Sequence, residues 1–158
     1  MVAVLAHGLA TIQRDILGQP ADPDRCAAAA LFHDASEILT GDLPTPVKYM
    51  TADLTGAYRE IEHSAVEKLL GFLPEELLGT YRALMEAAHS PEIYPLVKAA
   101  DRLAAYIKCV EELKSGNAEF RRAAVQTMDS IRAMELPEAE YFMEHFLPSF
   151  SLTIDEMS

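Results

Sequence analysis

The 158-residue sequence has no tryptophan, and it holds only two cysteines and seven glycines. The cysteines, Cys26 and Cys109, lie far apart and match no zinc-finger spacing. No signal peptide is visible, so we interpret both as reduced thiols of a cytoplasmic protein. No apolar run approaches the ~20 residues that a membrane-spanning helix requires, and we therefore expect no membrane partner.

Basic residues are also few, since 13 lysines and arginines stand against 25 aspartates and glutamates, for a net charge of -12. Such a field repels polyanions, so we expect no nucleic-acid polymer as a partner. A small phosphorylated metabolite remains compatible with this charge, because a bound cation neutralises the phosphate locally.

The apolar residues of the chain recur mainly at the spacing of an α-helix. Long segments repeat apolar residues at helical spacing, and no segment shows convincing strand alternation. We predict one all-α domain over residues 1–158, a helical bundle that buries roughly two-thirds of the surface of its unfolded chain. About seven helices are expected: the start to Leu17, Asp22 to Leu39 with Pro23 in the first turn, Thr51 to Leu70, Pro74 to Ala88, Pro91 to Leu113, Ala118 to Met134, and Pro137 to Phe146.

The stretch LFHDASEILTGD, residues 31–42, places three ionisable groups within five residues at the end of an alanine-rich helix. At ~100° per residue, His33, Asp34 and Glu37 fall on one flank of that helix, beside its apolar face. Carboxylates held at the edge of a core require a partner or a cation, which favours a metal site. The alternative is a neutral histidine and two solvated acids where the helix surfaces.

A further carboxylate, Asp101, interrupts apolar helix in the stretch LVKAADRLAAYIKCVEEL. It lies at the margin of the apolar stripe rather than within a run of charges, which adds to the case for a site at the edge of the core. The alternative is an ion pair between Asp101 and a basic neighbour, Lys98 or Arg102.

These two stretches resemble the bacterial HD-domain 5′-deoxynucleotidases, which belong to the HD superfamily of metal-dependent phosphohydrolases. The resemblance includes GDLPTPVKY, which continues the stretch around His33, and YFMEHFLPSF near the end of the chain. The resemblance extends from Val2 over essentially the whole chain. A bare His-Asp pair is weak support, whereas HDxxExxxGDLPTP together with the distant LVKxAD is strong. The resemblance implies an HD-type helical bundle, commonly a homodimer, that hydrolyses deoxyribonucleoside 5′-monophosphates to deoxyribonucleosides and phosphate.

The resemblance also assigns roles to single residues. His33, Asp34 and Asp101 match ligands of a divalent metal, and Glu37 matches the acidic residue that orients or deprotonates the reacting water. Asp42 matches the acidic residue that contacts the sugar, although a turn-stabilising role is the alternative. A histidine–carboxylate ligand set suits manganese, cobalt, iron or zinc without choosing among them.

One departure from the family concerns the start of the chain. The family's first metal ligand is a histidine upstream of the segment VAVLAHGLA, and the same upstream region supplies an arginine and a tryptophan that bind phosphate and sugar. Here the helix is amphipathic from Met1, with no cap before it. We therefore expect that the family's N-terminal segment is missing, and that the chain folds but binds metal weakly and hydrolyses nucleotides poorly.

The remaining polar candidates receive structural interpretations. His7 lies roughly two and a half turns beyond the missing ligand and faces the other side of its helix, so we do not expect it to substitute. Structural or surface roles are expected for His63, His89 and His145, of which His89 is the one worth checking. We expect Lys48 to be solvated rather than to meet phosphate.

Two alternative functions stay open. The first keeps the superfamily but changes the substrate to another nucleotide or phosphorylated metabolite. The second is a catalytically impaired helical binding or oligomerisation module, which follows if the metal shell is incomplete. Substrate profiling separates the first alternative from a deoxynucleotidase, and metal content together with turnover separates the second.

Overall fold

A computed structural model describes residues 1–43, 47, 50–152 and 154–157 of the protein, without the side chains of residues 154 and 157. Within that part of the chain the secondary structure is helical, and no β-strand occurs. The eight described α-helices are α1 (Val2–Thr11), α2 (Pro23–Ala30), α3 (Glu37–Thr40), α4 (Ala52–Leu70), α5 (Glu75–Ala87), α6 (Tyr94–Lys114), α7 (Phe120–Arg132) and α8 (Pro137–His145). The prediction of an all-α bundle is confirmed.

Two helix starts follow the capping residues that the sequence predicts. The side chain of Asp22 accepts a hydrogen bond from the backbone amide of Arg25 at 3.0 Å, which caps α2. The Thr51 hydroxyl accepts one from the amide of Leu54 at 3.1 Å and caps α4. Each cap satisfies a backbone donor that the first turn of a helix leaves without a partner.

The predicted single helix from Asp22 to Leu39 is wrong, because α2 ends at Ala30 and residues 31–36 form tight turns before α3 begins. In this segment the backbone bonds span three residues, as between the Ala35 amide and the Phe32 carbonyl at 3.1 Å. The carbonyl of Ala30 accepts its hydrogen bond from the His33 imidazole instead of from a backbone amide. The break therefore occurs where a side chain competes for a helical acceptor.

The principal core is built from α1, α2, α6 and α8. Helix α6 lies at its centre, with Leu103 and Ile107 fully buried against Leu9 of α1. Small residues let the helices approach one another closely, and the fully buried alanines are Ala6, Ala10, Ala29, Ala99 and Ala100. The close packing of α2 against this core brings its C-terminal turn beside α6.

Helix α4 lies outside that core. Its buried residues, Tyr58, Ala65 and Leu70, belong to a separate contact region, and α5 contributes only Ala87 to the core cluster. The two helices α4 and α5 therefore form an outer wall opposite the α2–α3 turn. None of the helices in the described part of the chain is long and apolar enough to cross a membrane.

Candidate active site

The α2–α3 turn and α6 bring one histidine and two carboxylates together. The Nε2 atom of His33 lies 2.9 Å from an Asp34 carboxylate oxygen and 3.8 Å from an Asp101 carboxylate oxygen. The His33 side chain is 15% exposed, whereas Asp34 and Asp101 are 51% and 43% exposed. Residues separated by more than sixty positions in the sequence thus meet at one partly buried point.

The orientation of His33 is fixed by the backbone. Its Nδ1 atom lies 2.8 Å from the carbonyl oxygen of Ala30, and because a carbonyl can only accept, Nδ1 carries the proton. Nε2 is thereby directed toward the two carboxylates. A backbone hydrogen bond to one imidazole nitrogen is the arrangement that prepares the other nitrogen to bind a metal.

The pKa values of His33 and Asp101 are shifted by their mutual contact. The carboxylates of Asp101 and then Asp34 raise the pKa of His33 to about 10, against the opposing effect of burial. Interaction with His33 is in turn the main cause that lowers the pKa of Asp101. The two carboxylates therefore stabilise positive charge on the His33 ring, which a bound cation would replace.

The donor set fits a divalent cation. Nε2 of His33 is buried and has no aligned hydrogen-bond acceptor, although the two carboxylates lie close to it. Across the described residues, no group of three or more His, Cys, Asp or Glu side chains stands in a geometry that could hold a metal ion as it is. Separations of 2.9 and 3.8 Å are nevertheless those expected between donors that share one ion bound at ~2 Å. His33, Asp34 and Asp101 are the potential metal donors that the structure brings closest together at this point.

Of the two alternative partners of Asp101, Arg102 is engaged elsewhere. Arg102 turns away from the site and donates a hydrogen bond to the backbone carbonyl of Ser130 at 2.8 Å. Neither Arg102 nor Lys98 forms an ion pair with Asp101 within the described part of the chain. The main ionisable partner that the structure gives Asp101 is His33, and the charges of Lys98 and Arg102 contribute less to lowering its pKa.

The cluster opens into a cavity of about 690 Å³ between the α2–α3 turn, α4, α5 and the start of α6. Glu37, the first residue of α3, is partly buried and lines it beside His33 and Asp34. The cavity is large enough for a ligand of nucleotide size. Its lining combines acidic groups at the cluster with acidic, cationic and apolar groups on the far side.

The far wall contains groups that the sequence did not single out. Arg82 of α5 makes two hydrogen bonds to the Glu67 carboxylate of α4, with Nη2 at 2.9 Å from Oε2. This contact lowers the pKa of Glu67. His63 and Arg59 also line the cavity from α4. A spacing of four residues along α4 was the available signal, because it places Arg59, His63 and Glu67 on one face.

The other candidates fall at different distances from the cluster. Asp42 is exposed and is not among the described residues that line the cavity, and Lys48 lies outside the described residues. His7 interacts with Asp24 at the opposite end of α2, with 3.5 Å between Nε2 and Oδ1. His145 stacks on the ring of Tyr141.

Two of the remaining histidines line the cavity after all. Both His63 and His89 reach it, so the expectation of purely structural or surface positions is incomplete for them. His89 also has its ring centroid 6.3 Å from that of Tyr94, which lines the same cavity.

Comparison with known proteins connects this geometry to a family. A profile of the 5′-deoxynucleotidase YfbR-like family matches residues 1–150. The chain is 48% identical to the 5′-deoxynucleotidase of Erwinia tasmaniensis, over 99% of this chain and 80% of that protein. It is equally similar to the 5′-deoxynucleotidase YfbR of Shigella flexneri serotype 5b, over 99% of this chain and 79% of that protein.

A solved structure shares the architecture. The crystal structure of an HD-domain phosphohydrolase from Listeria innocua superposes with a TM-score of 0.76 at 25% identity, covering 94% of this chain and 72% of that one. The all-helical bundle and the histidine–aspartate pair at its cleft thus define an HD-type phosphohydrolase. Within that class, the chain belongs to the 5′-deoxynucleotidase YfbR-like family.

Proposed function

We propose that this protein is a metal-dependent phosphohydrolase that converts deoxyribonucleoside 5′-monophosphates to deoxyribonucleosides and phosphate. One observation carries the proposal: Asp101 meets the His33–Asp34 pair, which lines a cavity of about 690 Å³, in a chain 48% identical to 5′-deoxynucleotidases. The whole chain, residues 1–158, is proposed to act as one HD-type domain.

His33, Asp34 and Asp101 are the proposed metal ligands, with manganese, cobalt, iron or zinc as the candidate ions. A divalent cation bound there supplies positive charge for the phosphate and lowers the pKa of a bound water. The protein's own contribution is to hold Nε2 of His33 toward the two carboxylates through the Ala30 carbonyl. That arrangement also excludes the other imidazole nitrogen from the site.

Glu37 is the proposed general base. It lies at the start of α3, in the cavity and beside the ligand pair, where its carboxylate orients a water or accepts its proton. The water oxygen bonds to phosphorus, the bond from phosphorus to the 5′ oxygen breaks, and the departing 5′ oxygen takes up a proton. Asp42 is proposed to accept a hydrogen bond from the sugar, in keeping with the sequence resemblance.

Phosphate release from a panel of substrates tests the proposal. The purified protein is assayed with manganese or cobalt against deoxyribonucleoside 5′-monophosphates, their ribose counterparts, 3′-monophosphates and nucleoside triphosphates. We expect preferential release from deoxyribonucleoside 5′-monophosphates and its loss in Asp101→Asn. Preference for a triphosphate or for a sugar phosphate would assign the chain to another HD phosphohydrolase activity.

We further propose that the protein acts as a homodimer in the cytoplasm. The resemblance supports the dimer, and the two buried cysteines, Cys26 and Cys109, are free thiols as a reducing compartment requires. Light scattering coupled to size-exclusion chromatography measures the assembly. A mass equal to a single chain at micromolar concentration would contradict the dimer.

A further inference from the structure

The basic side chains that line the cavity differ in whether an acidic residue pairs with them. Among the described residues, three basic side chains other than histidine line it: Arg59, Arg82 and Lys98. Arg82 is held by the Glu67 carboxylate, and Arg59 is exposed on α4. Lys98 is partly buried, and it makes neither an ion pair nor a hydrogen bond with the described residues. A lysine that lines a cavity in this way packs its apolar stem and leaves its ammonium group available to a ligand.

The position of Lys98 brings it to the proposed metal ligands. It precedes Asp101 by three residues on α6, so the two side chains are neighbours on one helix face, with Cβ atoms roughly 5–6 Å apart. It lines the same cavity as His33 and Asp34. After the interaction with His33, the charge of Lys98 is the next cause that lowers the pKa of Asp101.

Arg102, the basic residue that follows Asp101, cannot take the same role, because its guanidinium donates a hydrogen bond to the Ser130 carbonyl. Lys98 is therefore the cation that α6 presents to the cluster. An anion that enters the cavity can therefore reach the Lys98 side chain.

A phosphate monoester needs such a cation here. Its dianion enters a cleft already lined by the carboxylates of Asp34, Glu37 and three further glutamates, in a chain of net charge -12. One divalent ion leaves this combination strongly negative. An ammonium supplies a compact positive charge and three hydrogen-bond donors to phosphate oxygens.

We propose that Lys98 binds a non-bridging phosphate oxygen of the substrate and of the inorganic phosphate product. This inference rests on the proposed function and deepens it, since it names the residue that grips the phosphate. Lys98 is then a substrate-binding residue whose contribution to affinity is the same for every nucleobase. The same contact persists in the transition state, where the charge on the phosphoryl oxygens is retained.

The test compares Lys98→Met with Lys98→Arg. Methionine keeps the length and apolar stem of lysine but removes the charge and the donors. We expect Lys98→Met to weaken inhibition by inorganic phosphate roughly 10- to 100-fold and to raise KM for the monophosphate by a similar factor, because a charge-assisted hydrogen bond is lost. Lys98→Arg is expected to restore part of the phosphate affinity.

Lys108→Met is the matched control. Lys108 lies on the same helix, about 15 Å farther along, and its Nζ is 2.7 Å from an Oε1 of Glu112 outside the cavity. The same loss of charge there is expected to leave the phosphate inhibition constant within two-fold of the parent. Circular dichroism and thermal melting of all variants check that each is folded.

Calorimetry separates phosphate binding from metal binding and from turnover. Manganese affinity of Lys98→Met is expected to stay equal or to tighten, since a like charge near the ion is removed. Unchanged phosphate affinity in Lys98→Met overturns the proposal, and so does a parallel loss of manganese affinity, which assigns Lys98 to the ligand shell. If the parent hydrolyses no monophosphate, the proposed function fails, while phosphate affinity measured by calorimetry still decides the role of Lys98.

Discussion

At the scale of single residues, Glu37 has the most specific expected role. It lines the cavity beside His33 and Asp34 but stands apart from the three proposed metal ligands. We predict that Glu37→Gln lowers kcat by roughly 10²–10⁴, because general acid–base catalysis contributes about that much, while metal affinity changes little. Steady-state kinetics and calorimetric titration with manganese measure the two effects.

Glu60→Gln is the matched control for that substitution. Glu60 is an exposed residue of α4 outside the cavity lining, so its loss is expected to leave kcat unchanged. If Glu37→Gln turns over as fast as the parent, Glu37 has no part in the chemistry. If it loses metal affinity to the same extent as activity, it is a ligand instead.

The thiol of Cys26 allows a prediction about pH. Burial in the core raises its pKa from 9.0 to about 11. In a Cys109→Ala variant, which leaves Cys26 as the only thiol, we expect iodoacetamide at pH 8 to react at least ~100-fold more slowly than with the same chain unfolded in guanidinium, because only the thiolate reacts and the folded core shields the side chain. Reaction rates that are equal in the folded and unfolded states would show that the thiol is accessible and unperturbed.

The sign of the corresponding stability change follows from linkage. The folded state holds the Cys26 proton more tightly than the unfolded state, so the contribution of this thiol to stability is complete below pH 9. It declines as the pH rises toward 11. Denaturant unfolding of Cys26→Ala beside the parent over this range isolates that decline.

Some contacts of the site could be predicted from the sequence and others could not. The meeting of His33 with Asp101 followed from their positions at the margins of two apolar helix faces, together with the family resemblance. The hydrogen bond from His33 to the Ala30 carbonyl did not, because it arises from a turn that replaces helix. Lys98 was noticed only as a possible partner of Asp101, since the cavity that surrounds it depends on how α4 and α5 pack.

At the scale of secondary-structure elements, periodicity located nearly every helix, and the capping residues located the starts of α2 and α4. Its largest failure was at the α2–α3 junction; it also did not separate the π-helical turn Ile12–Ile16 from α1, and it began α6 three residues too early. Apolar spacing continues through residues 31–39 as in a helix, but side-chain competition for the Ala30 carbonyl interrupts the helix at His33. Hydrogen-bond competition of this kind has no signature in the hydrophobic pattern.

Helix α4 is expected to open before the rest of the bundle. It contributes nothing to the principal core, whereas α6 carries Leu103 and Ile107 at its centre. Because local opening is easiest where little apolar surface is buried, amides of α4 should exchange with solvent faster than those of α6. Hydrogen exchange followed by mass spectrometry measures both helices in one experiment, and equal protection would contradict an outer position for α4.

At the scale of the whole molecule, charge shapes both stability and binding. The chain carries a net charge of -12, and Asp34 and Asp101 add to this repulsion at the very point where α2 meets α6. A cation held by these carboxylates is bound by the folded state, in which the two helices are close, and not by the unfolded chain. Metal binding and folding should therefore reinforce each other.

Removal of metal is accordingly expected to lower the melting temperature. At a free manganese concentration of about 100 times Kd, binding adds about 2.7 kcal/mol to the free energy of unfolding, which corresponds to roughly 5–10 °C in a chain of this size. Scanning fluorimetry with manganese and then with excess chelator measures this difference. Asp101→Asn should abolish it because a proposed ligand is lost, whereas Asp24→Asn, at a side chain 98% exposed on the other end of α2, should retain it. A manganese shift of equal size in both variants would place the bound ion away from His33 and Asp101.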